Sequence, residues 1–500
     1  TATLGDTIYG YGGADVITVN VDAMQTADVI DGGAGSDTLQ ISGTGTLVDA
    51  DLTGVTNIEK FTHTGTSTLT TLGTQYMESG SAEITLGAVV NALNLDAITN
   101  NQILNLVAGT DTVDASSMTG ALNVKLAQDS LTTADTLTGG TGTADTLTIT
   151  YGGTALIAGD VSGVTGFEKV VAATNVLGNF VIADAMTAAA GSLELDFTAL
   201  TSTVATIDMA LESNAGITLN TGGGADVITM SISSVGDTIN SGAGTDGITT
   251  AIAQLTSADT VDGGAGTDTL TFSDAGSIAD GDFTNVTNIE ALTLATGVST
   301  VVLGAEYAES GSVTINASAG ANIDTITLGS GVTTAQTINI LGGTGSDVIS
   351  AAAATGAITF KITDTAFDAG DVFTGGTGSD ILLVTGSGNQ VTSAEMVGVT
   401  KIETIKVATN ATWNLLLNDA NTVSGVITVD AALATSAAVT FSGAAENDGT
   451  IVYVGGGGID TVIGTDTTAT GDTIGGGAGA DVITGGAGGD TITGGAGADL

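Results

Sequence analysis

Aliphatic residues in this chain seldom run together. Gly, Thr, Asn or Asp breaks every apolar stretch, and an x-aliphatic-x triplet repeatedly follows a Gly-rich segment. The triplet predicts a short strand with its branched side chain turned inward. The Gly-rich half predicts a tight turn, because Gly reaches φ > 0 without a steric penalty. Turn and strand in alternation wind a parallel β-coil. One such unit cannot bury its own apolar face, but stacked units can.

The commonest form of the pattern is nine residues long, Gly-Gly-x-Gly-x-Asp-x-aliphatic-x. Full copies begin at Gly32, Gly263, Gly342 and Gly375 and carry Asp37, Asp268, Asp347 and Asp380. Looser copies end at Asp15, Asp226, Asp246 and Asp460, and one with an extra residue carries Asp145. Three tandem copies begin at Gly476, Gly485 and Gly494 and carry Asp481, Asp490 and Asp499. A longer repeat contains the short one. Gly-Asp-Thr-Ile at Gly5 returns at Gly236 and Gly471, and Val-Thr-Asn-Ile-Glu at Val55 returns at Val286. Residues 1–235 and 236–470 are therefore expected to be two copies of one solenoid unit, with 471–500 opening a third. Each unit is itself double. Val-Thr-x-hydrophobic-Glu ends at Glu59, Glu168, Glu290 and Glu403, each 22 or 23 residues after a nonapeptide Asp. Four modules of roughly 110 residues result.

Composition narrows the chemistry. Six Lys and no Arg stand against 54 acidic residues, a formal charge of −48. Nucleic-acid binding needs cations to displace phosphate counterions and is excluded. There is no Cys for disulfides or Cys-ligated metals. No apolar run approaches the ~20 residues of a transmembrane helix. Disorder does not fit a chain that is 42% hydrophobic. The opening TATLGDTIYG has neither Met nor a signal-like segment, and Leu500 falls inside a repeat, so a longer polypeptide is expected.

Stacked Gly-Asp turns present backbone carbonyls and carboxylates to one point. Oxygen-only ligands in a flexible loop favour Ca²⁺ over transition metals, and over Mg²⁺ with its stricter octahedral geometry. At a spacing of about 4.8 Å the carboxylates form self-repelling rows, which Lys60, Lys125, Lys169, Lys361, Lys401 and Lys406 cannot neutralise. The expected ligands are the Asp of each copy together with the turn-opening Gly32, Gly263, Gly342, Gly375, Gly476, Gly485 and Gly494. Asp28, Asp135, Asp259 and Asp371, nine or ten residues before a motif Asp, join them, as do Asp6, Asp237 and Asp472. Asp31 and Asp262, directly before Gly-Gly, are open as further ligands.

These nonapeptides resemble the RTX calcium-binding repeats. The resemblance implies a right-handed parallel β-solenoid (β-roll or β-helix), several Ca²⁺ ions in the turns, and type I secretion from a Gram-negative bacterium. Scattered nonapeptides within long Thr/Ala/Gly/Val-rich sequence, with GVTGFEKV and VDASSMTGALNV as examples, resemble RTX-type surface-layer proteins in style. That implies an extracellular structural protein assembling with copies of itself into a layer, sheath or filament. It also implies contact with cell-surface polysaccharide through a region outside this sequence. A calcium-stiffened spacer of a secreted adhesin or biofilm-matrix protein is the alternative. At roughly 20 residues per coil, 500 residues wind to something on the order of 100 Å.

Enzymatic function on a β-helix needs Arg, Lys, His or Tyr clustered with acids, and the composition argues against it. His63 is matched by Leu294 in the second copy, as expected of an ordinary strand residue. The four Glu are open as ligands, but a structural place at a coil corner, satisfied by backbone N–H groups, is favoured. Asp280-Gly281-Asp282 is set aside as an EF-hand start, because Asp49-Ala50-Asp51 at the matching place lacks the Gly. Trp413 is expected to be buried rather than to bind sugar, and Ala185 to Ala190 to form a helical turn.

Overall fold

The computed structural model describes residues 5–500 except 65–67, 81, 89–90, 143, 151–154, 174–178, 188–190, 296, 299, 312, 318–324, 341–344, 389, 422–424 and 468–469. The protein is an all-β parallel β-solenoid. It divides into two compact units, Thr1–Ile248 with Ala258–Gly266, and Thr249–Ser257 with Thr267–Leu500.

In the first unit one face is built by strands that each pair in parallel with the strand one coil later. Val16–Asn20, Thr38–Ser42, Lys60–His63, Glu83–Thr85 and Gln102–Asn105 open it. Alternation along each strand sends every second side chain inward, as in the buried Leu39 and Ile41 of Thr38–Ser42. The register then piles inward residues into a column. Leu39 lies beside Phe61, Phe61 beside Ile84, and Ile84 beside Leu104. Val124, Leu147, Val170, Leu195 and Leu219 continue it. A second face, with Asn91–Asn94, Asp111–Asp114 and Thr136–Thr138 at its centre, closes the coil.

The second unit repeats the design. Leu292, Ile315, Ile338, Phe360, Leu382, Ile405, Val429 and Tyr453 follow one another in register. Trp413 is fully buried in Trp413–Leu416, as expected from the sequence. His63 is buried at the end of its strand. The helical turn expected from Ala185 is Asp184–Thr187, and the remainder of that segment lies outside the described residues.

Because each column side chain touches neighbours in adjacent coils, a truncation leaves a void that the stack cannot collapse to fill. Leu147→Ala, between Val124 and Val170, is expected to cost about 2–5 kcal/mol, read by urea unfolding in calcium buffer.

Short helices interrupt the winding at equivalent places. Thr74–Glu78 begins where Asp49 accepts the N–H groups of Gly73, Gln75 and Tyr76 at 2.7–3.1 Å. Ala305–Glu309 begins where Asp280 accepts those of Gly304, Glu306 and Tyr307. Asp282 accepts the Ala279 N–H at 2.8 Å. The acidic pair set aside as an EF-hand start thus caps helix ends, where a carboxylate satisfies free N–H groups.

Candidate metal centre

The motif carboxylates form columns with one repeating bond: a carboxylate oxygen accepts the backbone N–H of a residue one coil earlier. Asp15 donates its N–H to Asp37 Oδ1 at 2.8 Å, and Asp6 donates to Asp28 Oδ1 at 2.8 Å. Ala205 donates to Asp226, which in turn donates to Asp246. Ile217 donates to Asp237, which donates to Asp259. Near the C-terminus Val439, Asp460 and Asp481 donate in turn to Asp460, Asp481 and Asp499. Ile451 and Asp472 donate to Asp472 and Asp490. A donor between successive carboxylates favours their charged form, which is how acids stack at the spacing of parallel strands.

The four Glu of Val-Thr-x-hydrophobic-Glu take the same bond. Glu59, Glu168, Glu290 and Glu403 accept the N–H of Asp37, Asp145, Asp268 and Asp380 at 2.7–2.8 Å. This is the coil-corner position favoured from the sequence. The middle residue of the segment is left-handed in each case: Asn57, Gly166, Asn288 and Lys401 have φ of 54°, 73°, 54° and 53°.

The second carboxylate oxygen separates the sites. Oδ2 of Asp15, Asp37, Asp226 and Asp481 is buried and has no hydrogen-bond donor. A buried anionic oxygen without a donor is costly unless a cation faces it. The surroundings supply further oxygens. A methyl group placed on Gly10 would meet the Gly32 carbonyl oxygen and Asp15 Oδ2, and one on Gly476 would meet Asp481 Oδ2 and the Gly494 carbonyl oxygen. The first Gly of these turns leaves the space where oxygens from two coils converge. Gly32, Gly375, Gly485 and Gly494 likewise face Oδ2 of Asp37, Asp380, Asp490 and Asp499. Gly263 contributes its carbonyl to Ser241 Oγ at 2.8 Å, and Gly342 lies outside the described residues.

Other expected ligands are more fully engaged. Asp28 Oδ2 accepts the Gln25 N–H, Asp135 Oδ2 accepts the Thr132 N–H, and Asp371 Oδ2 accepts the Asp368 N–H. With Oδ1 bonded to the neighbouring coil, these three aspartates clasp a turn with both oxygens. The signal was present in the sequence as a carboxylate three residues after the N–H it accepts, the spacing of a capping box. Asp145 and Asp380 Oδ2 are held by Gly140 and Gly376 N–H at 2.7 and 2.6 Å. Asp460 Oδ2 accepts from Tyr453 Oη, and Asp472 Oδ2 from the Thr465 N–H. Asp347 donates its N–H to Asp371 Oδ1.

Burial pushes the carboxyls of Asp237, Asp246 and Asp460 above the usual range and raises Asp371 to about 6. Glu168 is raised by burial and by the neighbouring Asp145 charge. Lys60 pairs with Glu83, Lys169 with Glu194 and Asp196, and Lys406 with Asp430. All three lie on outward strand positions.

Fold and turns together define a parallel β-solenoid with oxygen-lined, calcium-type corners. The family profile described as the RTX calcium-binding nonapeptide repeat matches four copies within residues 5–23, 256–273 and 466–500. These segments are RTX nonapeptide repeats, and such repeats bind calcium. No match was found among curated proteins or solved structures. Among the described residues no helix is long and apolar enough to cross a membrane.

Proposed function

We propose that this chain is a secreted, extracellular structural protein of a Gram-negative bacterium, held in its winding by calcium and assembling with copies of itself into a surface layer, sheath or filament. The observation that carries the reading is the set of Oδ2 atoms at Asp15, Asp226 and Asp481, buried without a hydrogen-bond donor. Those three, with the carbonyls across the turn, are the first ligands we assign. Asp246 and Asp499 belong to the same columns, Asp6, Asp237, Asp259 and Asp490 to others built by the same bond, and Asp268 donates its N–H to Glu290.

A structural role is supported over catalysis by the fate of the cations. Three of the six Lys are tied to carboxylates, and the single His is buried in a strand. The remaining surface is acidic, so copies meet only when a divalent ion bridges them. The expected result on adding millimolar calcium to the purified chain is ordered sheets or filaments in negative-stain images. Monodisperse particles at every calcium concentration would overturn assembly and favour the adhesin spacer.

A further inference from the structure

We infer that residues 31–59 build a calcium site of mixed construction: a nonapeptide turn forms one half, a Val-Thr-x-hydrophobic-Glu segment forms the other, and Asp31 keeps the site open. The inference rests on the calcium-binding reading of the nonapeptides and adds a site outside the matched repeats.

Asp37 is fully buried, and its Oδ2 has no hydrogen-bond donor. That oxygen lies in the space above Gly32. A methyl group built on Gly32 would run into the carbonyl oxygen of Asn57 and lie 3.0 Å from Asp37 Oδ2. Two oxygens from successive coils therefore converge where a side chain would otherwise sit. Asn57 turns its carbonyl there through its left-handed backbone, φ 54°. The Glu59 carboxylate closes the rim, 2.7 Å from the Asp37 nitrogen. The donor set is oxygen throughout and carries more than one negative charge, which suits Ca²⁺.

In the Asp268 module Gly264 donates its N–H to Asp262 Oδ1 at 2.9 Å, the bond that Gly33 makes to Asp31 in the Asp37 turn. In the other two modules the same two segments meet with a different outcome. Around Asp145 and Asp380 the second Gly of the turn donates its N–H to the motif Asp Oδ2. That bond occupies the oxygen and closes the turn upon itself. In the Asp37 turn the corresponding Gly33 N–H goes to Asp31 Oδ1 at 3.0 Å. The same Asp31 oxygen accepts the Asn57 side-chain amide at 2.7 Å, fixing the opposing segment. The sequence difference that bears on this bond is the residue before Gly-Gly: Asp31 here, Thr138 and Thr374 in the closed turns. Thr has no carboxylate to take the Gly N–H, so the motif Asp takes it. Asp31 is thus a positioning residue that diverts a competing donor, besides adding charge beside the site.

The test is a count of bound calcium by equilibrium dialysis with calcium-45, on the full chain, with circular dichroism on the same samples. Asp31→Thr is expected to fold in calcium and bind one ion fewer than the wild type. Thr138→Asp is expected to free Asp145 Oδ2 and bind one ion more. A folded Asp31→Thr chain with the wild-type count overturns the inference. If that variant does not fold, an unchanged count for Thr138→Asp overturns it instead. A wild-type chain that binds no calcium overturns both this site and the broader reading, before any variant is compared.

Discussion

Chelating calcium with EDTA is expected to abolish the β-sheet far-UV signal of the folded chain, and restoring millimolar calcium is expected to return it. The charge is −48, and the motif carboxylates that contribute to it stand in columns. Backbone N–H groups satisfy Oδ1 of Asp37, Asp226 and Asp481, but Oδ2 of these three and of Asp15 is buried with no donor. An ion bound at a concentration of about 100 Kd contributes roughly 2.7 kcal/mol. Four such ions contribute on the order of 11 kcal/mol, within the ~5–15 kcal/mol that holds a typical domain together. A β spectrum unchanged after EDTA would refute calcium-dependent folding.

Acid and calcium are expected to substitute for one another. Asp371 titrates at about 6 in the folded chain, above its ordinary value of 3.8, and burial raises Asp237, Asp246 and Asp460 in the same direction. An acid whose folded pKa is raised binds its proton more tightly in the folded state. Its favourable contribution is therefore complete below the unfolded value and is lost as pH climbs through the folded one. In EDTA, stability is expected to fall as pH rises from about 4 to 7. Asp371 alone accounts for something on the order of 1–3 kcal/mol. In millimolar calcium the trend reverses, because the ion competes with protons for the ligating carboxylates. The far-UV β signal in EDTA and the urea midpoint in calcium, each followed across this range, test the two arms. Parallel curves would show that the buried acids are not coupled to folding.

The coil, its parallel register and its oxygen-lined turns were legible from Gly-Gly-x-Gly-x-Asp and the aliphatic residue after it, since each part of that motif has a local reason. The division of labour among the acids was less so. Asp28 and Asp37 look alike in the sequence, nine residues apart. Asp28 bonds back to Gln25 within its own turn, while Asp37 turns Oδ2 toward Asn57 in the next coil. What distinguishes them is which N–H lies within reach, and that depends on how two distant segments stack. The role of Glu59 was within reach for the opposite reason. It recurs at a fixed distance after a motif Asp, and its longer side chain spans the gap where no Gly-Gly turn follows. Asp49 and Asp280 were passed over because the helices they cap are only five residues long, too short to show periodicity.

In every column of either unit the accepting carboxylate lies later in the chain than the N–H it satisfies. Within a motif column each carboxylate therefore stitches the coil before its own, whereas Asp49 and Asp280 reach forward to the coil after. The columns thus have a direction along the chain: losing the carboxylate of Asp37 strands the N–H of Asp15 in the coil before it, while Asp37's own N–H has no bearing on the neighbours of Glu59 further on.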